Sequence, residues 1–179
     1  MADWAVIING MPGSGKTTLA RPLGEALGLA VVSKDAVKEA LADAVPGLPT
    51  QRLGAIASDA MWSLAGLIEG PVIVESFWAS GRDDRYFDLG RAAAGIRNGV
   101  ELWCEAPEAT VRERFLTRPR HHAHADAGRL EEWTDFLRTA RPISGFPVLR
   151  VPTEREVDIP RLAVQIRAAL RDSASGERP

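Results

Sequence analysis

Eight residues constrain this chain more than any others. Gly10-Met11-Pro12-Gly13-Ser14-Gly15-Lys16-Thr17 follows the apolar run Ala5-Val6-Ile7-Ile8, precedes a helix-like stretch and satisfies the spacing G-x-x-x-x-G-K-[ST]. A strand that turns through glycines directly into a helix fixes the first βα unit of a fold. The chemistry follows from the residue types. Glycines let the backbone curl into a nest whose N–H groups face phosphate oxygens, and the next helix aims the positive end of its dipole at the same point. Lys16 then reaches the β- and γ-phosphates of a nucleoside triphosphate, and the Thr17 hydroxyl ligates Mg²⁺.

Around that unit, short apolar runs alternate with longer amphipathic segments, the pattern of a parallel sheet covered by crossover helices. Strands are expected near 4–9, 29–32, 71–75, 99–104 and 147–151, and helices near 15–27, 35–44, 50–69, 83–97, 107–118, 129–140 and 159–171. Five strands in a βα series imply one three-layer α/β/α domain over 1–171 with a five-stranded parallel sheet. The chain has 179 residues, 45% of them apolar, which is enough to bury its core. Pro22 falls inside the first helix, where a lost hydrogen bond, worth about 3 kcal/mol if uncompensated, predicts a kink or a restart. The polar, small-residue stretch 172–179 is expected to fray.

A net charge of -2 and a pI near 6.0 create no field for nucleic acid or an anionic membrane, so any polyanion contact must be local. No apolar stretch approaches the about 20 residues of a membrane span, and no basic-then-apolar leader opens the chain, which reads as cytoplasmic. The single cysteine, Cys104, ends the apolar run Val100-Glu101-Leu102-Trp103 and reads as a buried, inert thiol. Oligomeric state is left open by all of this.

Open α/β sheets bind ligands at the carboxyl ends of their strands, and here those ends are polar. Ser33-Lys34-Asp35 follows the second strand, Glu75-Ser76-Phe77-Trp78-Ala79-Ser80-Gly81-Arg82 the third, and Glu105-Ala106-Pro107 the fourth. Asp35 is assigned as the general base for an acceptor hydroxyl, although an aspartate opening a helix can equally be an ordinary N-cap. Glu75 ends Val72-Ile73-Val74 as an acid ends a Walker B strand, in reach of Mg²⁺ or substrate; a solvated strand end is its alternative. Phe77 and Trp78 are expected to wall an acceptor pocket, with packing as the other fate of Trp78. Arg82 is a candidate for substrate or phosphate, unless Asp83 or Asp84 holds it in an ion pair. Arg112, Arg114, Arg118 and Arg120 load a helix end and the loop beyond with positive charge, as a lid near 112–128 closing on a migrating phosphoryl group requires; each alone could be a solvated cation. His121-His122-Ala123-His124-Ala125-Asp126 resembles the opening of a metallo-hydrolase signature. All three histidines of the chain lie there, so the distant ligands of such a site are missing, and a catalytic metal centre is rejected.

With these residues in view, the chain resembles the small P-loop kinases that include polynucleotide 5′-kinase, zeta toxin and chloramphenicol phosphotransferase. Gly10 to Thr17, with Thr18, looks like the first motif of that group. Asp35 falls where members carry the carboxylate that activates the acceptor. Ala106-Pro107-Glu108 followed by Arg114 and Arg118 looks like the start of the lid helix, whose arginines face the phosphates, and Thr153 lies near the loop that contacts adenine. The resemblance implies ATP as the nucleotide, Mg²⁺ beside it, and transfer to a hydroxyl of a small molecule: an antibiotic, a nucleoside or a sugar-like acceptor. Glu75-Ser76-Phe77-Trp78 departs from any one member, and the acidic balance argues against a long nucleic-acid track. Polynucleotide or sugar-nucleotide phosphorylation and a non-catalytic ATP-sensing module are the rival readings. No Asn-Lys-x-Asp guanine signature occurs.

Overall fold

The computed structural model describes residues 3–119, 121–124 and 129–175. Twelve elements follow one another: β1 (Trp4–Asn9), α1 (Lys16–Leu27), β2 (Val31–Ser33), α2 (Lys34–Ala44), α3 (Thr50–Leu67), β3 (Val72–Glu75), α4 (Asp84–Ala93), β4 (Asn98–Glu105), α5 (Glu108–Thr117), α6 (Arg129–Thr139), β5 (Val148–Pro152) and α7 (Ile159–Ser175). The strands form one parallel sheet in the order β2-β3-β1-β4-β5. Successive strand residues point to opposite faces, and both faces are covered. Val6 and Ile8 of β1 join Ile73, Leu102 and Val151 under α1 and α7 through Leu19, Leu23, Leu162 and Ile166. Ala5 and Ile7 join Val72 and Val74 under α3 and α4 through Met61, Trp62 and Phe87. A strand wedged between two such layers is apolar wherever no buried partner answers a polar group, which is why β1 reads as an unbroken run from Trp4 to Ile8.

β1 sits at the centre, with β3 on one side and β4 on the other, so successive crossovers leave it in opposite directions. The carboxyl end of β1 is the switch point at which an open parallel sheet leaves a crevice. Among the described residues, no helix is long and apolar enough to cross a membrane.

The structure differs from expectation where local chemistry outweighs pattern. α1 runs unbroken through Pro22. Pro22 and Thr18 both lie on the exposed side, so the Thr18 carbonyl that loses its helical donor can turn to water. β2 starts two residues later than the apolar pattern suggests, because Gly28 closes α1 in a left-handed conformation (φ 69°) and the Leu29 N–H still bonds back to Gly24. α4 stops at Ala93, not near 97: Gly95 turns the chain with φ 78°, and the Ile96 N–H closes onto the Arg91 carbonyl. α7 continues through Asp172 to Ser175, residues assigned by composition to a frayed tail.

Candidate active site

The loop after β1 is shaped by what crowds it. Gly10, Gly13 and Gly15 have φ of 141°, 95° and 86°, a region that L side chains avoid. A Cβ on Gly10 would collide with the Cys104 carbonyl oxygen, and one on Gly13 would lie 2.5 Å from the Val111 oxygen. The loop therefore presses against β4 and α5 as well as opening α1. Ser14 N–H bonds to the Met11 carbonyl at 2.9 Å, and the Ser14 hydroxyl is buried without a partner among the described residues. Lys16, 8% exposed, donates to the Gly10 and Met11 carbonyls at 2.8 and 3.0 Å. Burial pushes its ammonium below the ordinary lysine range, an effect that nearby Glu75 opposes. A left-handed glycine nest and a lysine bonded to backbone carbonyls fit a chain of phosphates.

Asn9 fixes where that loop begins. Its side-chain carbonyl accepts from the Gly10 and Trp78 N–H groups at 2.8 and 3.1 Å, while its amide donates to Glu101 at 3.0 Å. Glu101, fully buried, also accepts from the Ile143 and Ser144 N–H groups, each at its shortest 3.0 and 2.8 Å. One buried pair thus joins the phosphate loop, the segment after β3 and the chain entering β5. Sequence reasoning passed over both residues, although each interrupts an otherwise apolar strand.

Glu75 is 2% exposed, which removes the solvated-strand-end alternative. Thr17 donates to its Oε1 at 3.3 Å and Ser33 to its Oε2 at 2.5 Å. Burial raises its carboxyl above the ordinary range, against the pull of Lys16 and the two hydroxyls. Thr17 and Glu75 are the pair that could hold a divalent cation. Ser33 is also the N-cap of α2, accepting from the Ala36 N–H at 3.5 Å, so Asp35 does not cap that helix. Asp35 is exposed and stands in the first turn, where its charge suits the helix dipole.

These groups line one cleft of about 390 Å³. Its floor is Gly13, Gly15, Lys16, Thr17 and Thr18; one side carries Lys34, Asp35, Lys38, Glu75 and Arg82, the other Arg114, Phe115 and Arg118. Phe77, Phe136 and Trp133 add an aromatic wall: Phe77 meets Phe136 edge-on at 4.9 Å, and Trp133 stacks on Phe115 and donates to the Pro12 carbonyl at 3.1 Å. Arg82 lines the cleft and is held by Asp83, the ion pair that its sequence offers as the alternative. It pairs with Asp83 through two bonds of 2.6 and 3.0 Å, and its guanidinium lies 4.6 Å over the Phe136 ring. His124 reaches the cleft too, bonded to Glu39 at 2.9 Å, as His121 is to Asp43 at 3.0 Å, so this turn docks on α2. Arg120 and residues 125–128 of the expected lid lie outside the described residues.

Three assignments are corrected. Trp78 does not wall the pocket: Asn9 grips its backbone N–H, and the indole, 4% exposed, packs with Trp62 and Phe87 in the core. Thr153 does not face the cleft either. Its hydroxyl props the loop from beneath, donating to the Ser14 carbonyl at 2.7 Å, while Arg114 donates to the Thr153 carbonyl at 3.0 Å. Gly10, Met11 and Ser14 are buried under the loop and shape it without lining the cleft. Lys34, Lys38, Trp133 and Phe136 were missed, the lysines because charge at a helix start reads as solvated, the aromatics because their spacing fits core packing.

A parallel sheet in this order, with a glycine nest at its switch point and cations around it, defines a P-loop kinase-like domain. The chain belongs to the AAA domain family AAA_33, whose model matches residues 6–143. No curated protein matches the sequence significantly. Among solved structures it is similar to a putative kinase from Chloroflexus aurantiacus, at 27% identity and TM-score 0.79 over 92% of this chain and 97% of that one. A gluconokinase from Sinorhizobium meliloti shares the fold at 22% identity and TM-score 0.64, covering 99% and 98%. So does the APS kinase of Mycobacterium tuberculosis, solved with AMPPNP and APS, at 19% identity and TM-score 0.57 over 93% and 96%.

Proposed function

We propose that the chain is an ATP- and Mg²⁺-dependent kinase that phosphorylates a hydroxyl of a small molecule. One observation carries the reading. An exposed carboxylate, Asp35, which its own helix does not need as a cap, shares a 390 Å³ cleft with Lys16, Thr17 and Glu75. A nucleotide sensor needs the last three but has no use for the first. Kinases among the similar folds, one of them holding AMPPNP, support the choice of nucleotide.

In this reading the loop amides and Lys16 receive the β- and γ-phosphates, Lys16 exchanging its two carbonyl bonds for phosphate oxygens. Thr17 and Glu75 would hold Mg²⁺, which when bound would neutralise charge on the phosphates. Asp35 accepts the proton of the acceptor hydroxyl as its oxygen bonds to the γ-phosphorus and the bond to the β-phosphate bridge breaks, releasing ADP. Arg114 and Arg118 neutralise the migrating group from the α5 side. Because little covalent chemistry is asked of the protein, position and charge account for the rate.

The test is ADP release in a coupled assay with a panel of antibiotics, nucleosides, sugars and a 5′-hydroxyl oligonucleotide, comparing the parent with Asp35→Asn. Acceptor-stimulated turnover should fall by about 10²-fold or more in the variant while nucleotide affinity persists. Equal turnover in both proteins would remove Asp35 as the base. Stimulation by the oligonucleotide alone would replace the small acceptor.

A further inference from the structure

We propose that the acceptor carries an anionic group, a carboxylate, phosphate or sulfate, besides its hydroxyl, and that Lys34, with Lys38 and Arg82, receives it beside Asp35. The inference rests on the kinase reading and narrows it to a substrate class.

Six cationic side chains line the cleft against two carboxylates. Three of the six belong to the nucleotide. Lys16 is part of the loop, and Arg114 and Arg118 come from the end of α5, where Arg114 is tied to the Thr153 carbonyl after β5. Lys34, Lys38 and Arg82 stand on the opposite side, beyond β2 and β3, and that is the side of Asp35.

Lys34 is the residue that calls for a ligand. As the first residue of α2 it sits at the positive end of a helix dipole, where a cation is disfavoured. Desolvation lowers its ammonium below the ordinary lysine range, more than Asp35 and Asp83 can offset. No hydrogen bond or ion pair to it exists among the described residues. The two nearby carboxylates cannot supply one. Asp35 is its chain neighbour, and adjacent residues on a helix do not face each other. Asp83 is already committed: Arg82 takes both its oxygens, and the Ala79 N–H donates to one of them at 2.8 Å.

A desolvated cation without a partner is costly, and its cost is recovered when a ligand brings the missing charge. Arg82 is already oriented for the same ligand. With Nε and Nη2 on Asp83 and its face on Phe136, it keeps Nη1 uncommitted among the described residues, at a fixed place. Lys38, 6% exposed one turn along α2 from Lys34, adds a third positive charge to that wall. A neutral polyol would leave the charge of Lys34 unanswered; an acid presents its hydroxyl to Asp35 and its anion to Lys34. Asp35 repels that anion locally, which also sets the orientation of the two ends.

The experiment uses the full chain with its nucleotide site filled by Mg²⁺ and AMPPNP, so that anions cannot simply enter the phosphate loop. Matched pairs are titrated calorimetrically: gluconate against glucitol, glycerol 3-phosphate against glycerol, shikimate against its methyl ester. The expected result is that at least one anionic member binds tenfold or more tighter than its neutral partner, and that Lys34→Gln removes most of this advantage while Lys34→Arg keeps part of it. An AMPPNP titration of each variant reports whether the loop is intact. Neutral partners binding as tightly, no anionic member binding at all, or an advantage that survives Lys34→Gln would each overturn the proposal. Turnover assays on the same pairs separate the two readings. Anion binding at Lys34 without phosphoryl transfer would keep the anion site and remove the kinase; transfer to neutral members alone would keep the kinase and remove the anion site.

Discussion

Lys16 in this structure spends its charge on the carbonyls of its own loop, and Glu75 spends its lone pairs on two hydroxyls; both are poised for exchange. Glu75 gives this a pH signature. Burial raises its carboxyl in the folded protein above its value in the unfolded chain, so the folded state holds that proton to higher pH. The associated stability is fully present below the unfolded value and is lost as pH rises through the folded one. Glu75→Gln, which has nothing to ionise, should therefore gain on the parent as pH rises, and melting both proteins without divalent ions from pH 4 to 8 checks it. A variant that loses ground to the parent as pH rises would contradict the assignment. The Cys104 thiol, also buried, is pushed up to about 12 by that burial. Thiol reagents should label it at pH 8 only as fast as the protein opens, so labelling should accelerate by orders of magnitude in denaturant. Of the residues at the cleft, the sequence makes Lys16, Thr17 and Asp35 visible because a motif or a strand end singles them out. Lys34 stays hidden because a lysine beside an aspartate looks like any solvated pair; only its lack of a hydrogen-bond or ion-pair partner among the described residues marks it.

The strands and helices were readable because burial on both sides leaves a strand few polar positions, while each covering helix needs only one apolar stripe. What pattern could not supply was direction at the ends. Trp78 follows a strand and precedes a polar stretch, as a pocket residue would, but the grip of Asn9 on its backbone sends it inward. Phe87 and Trp62 meet it there, the rings of Trp62 and Phe87 5.4 Å apart and nearly perpendicular. The contact between α3 and α4 depends on the missing side chain at Gly90, since a Cβ there would overlap the Trp62 indole. Alanine normally stabilises a helix interior by about 1 kcal/mol relative to glycine. Here Gly90→Ala should instead destabilise the protein by about 1–3 kcal/mol, because the indole has to move within a packed core. Chemical denaturation decides between the two signs.

At the scale of the whole molecule the cleft is built from two kinds of part. The floor is held from below by the Asn9–Glu101 pair, by Thr153 and by the carbonyls of β4 and α5; the walls come from α2, the segment after β3, and α5 with α6. Hydrogen exchange should divide along that line. The amides of Gly10 and of residues 143–144, bonded to Asn9 and Glu101, should exchange slowly with or without Mg²⁺ and AMPPNP. Those of residues 112–124 should gain protection of about tenfold or more when the nucleotide binds, in step with a stabilisation of about 2.7 kcal/mol at a hundredfold excess over Kd. Large protection changes at Gly10 would mean that the floor is assembled by the ligand. The Asn9–Glu101 pair has one more consequence. Because it anchors the phosphate loop and the entry to β5 to the same buried carboxylate, the entropy of shaping that loop is surrendered when the chain folds. An arriving phosphate meets a mould already cast, and none of its binding energy goes into shaping that part of the loop.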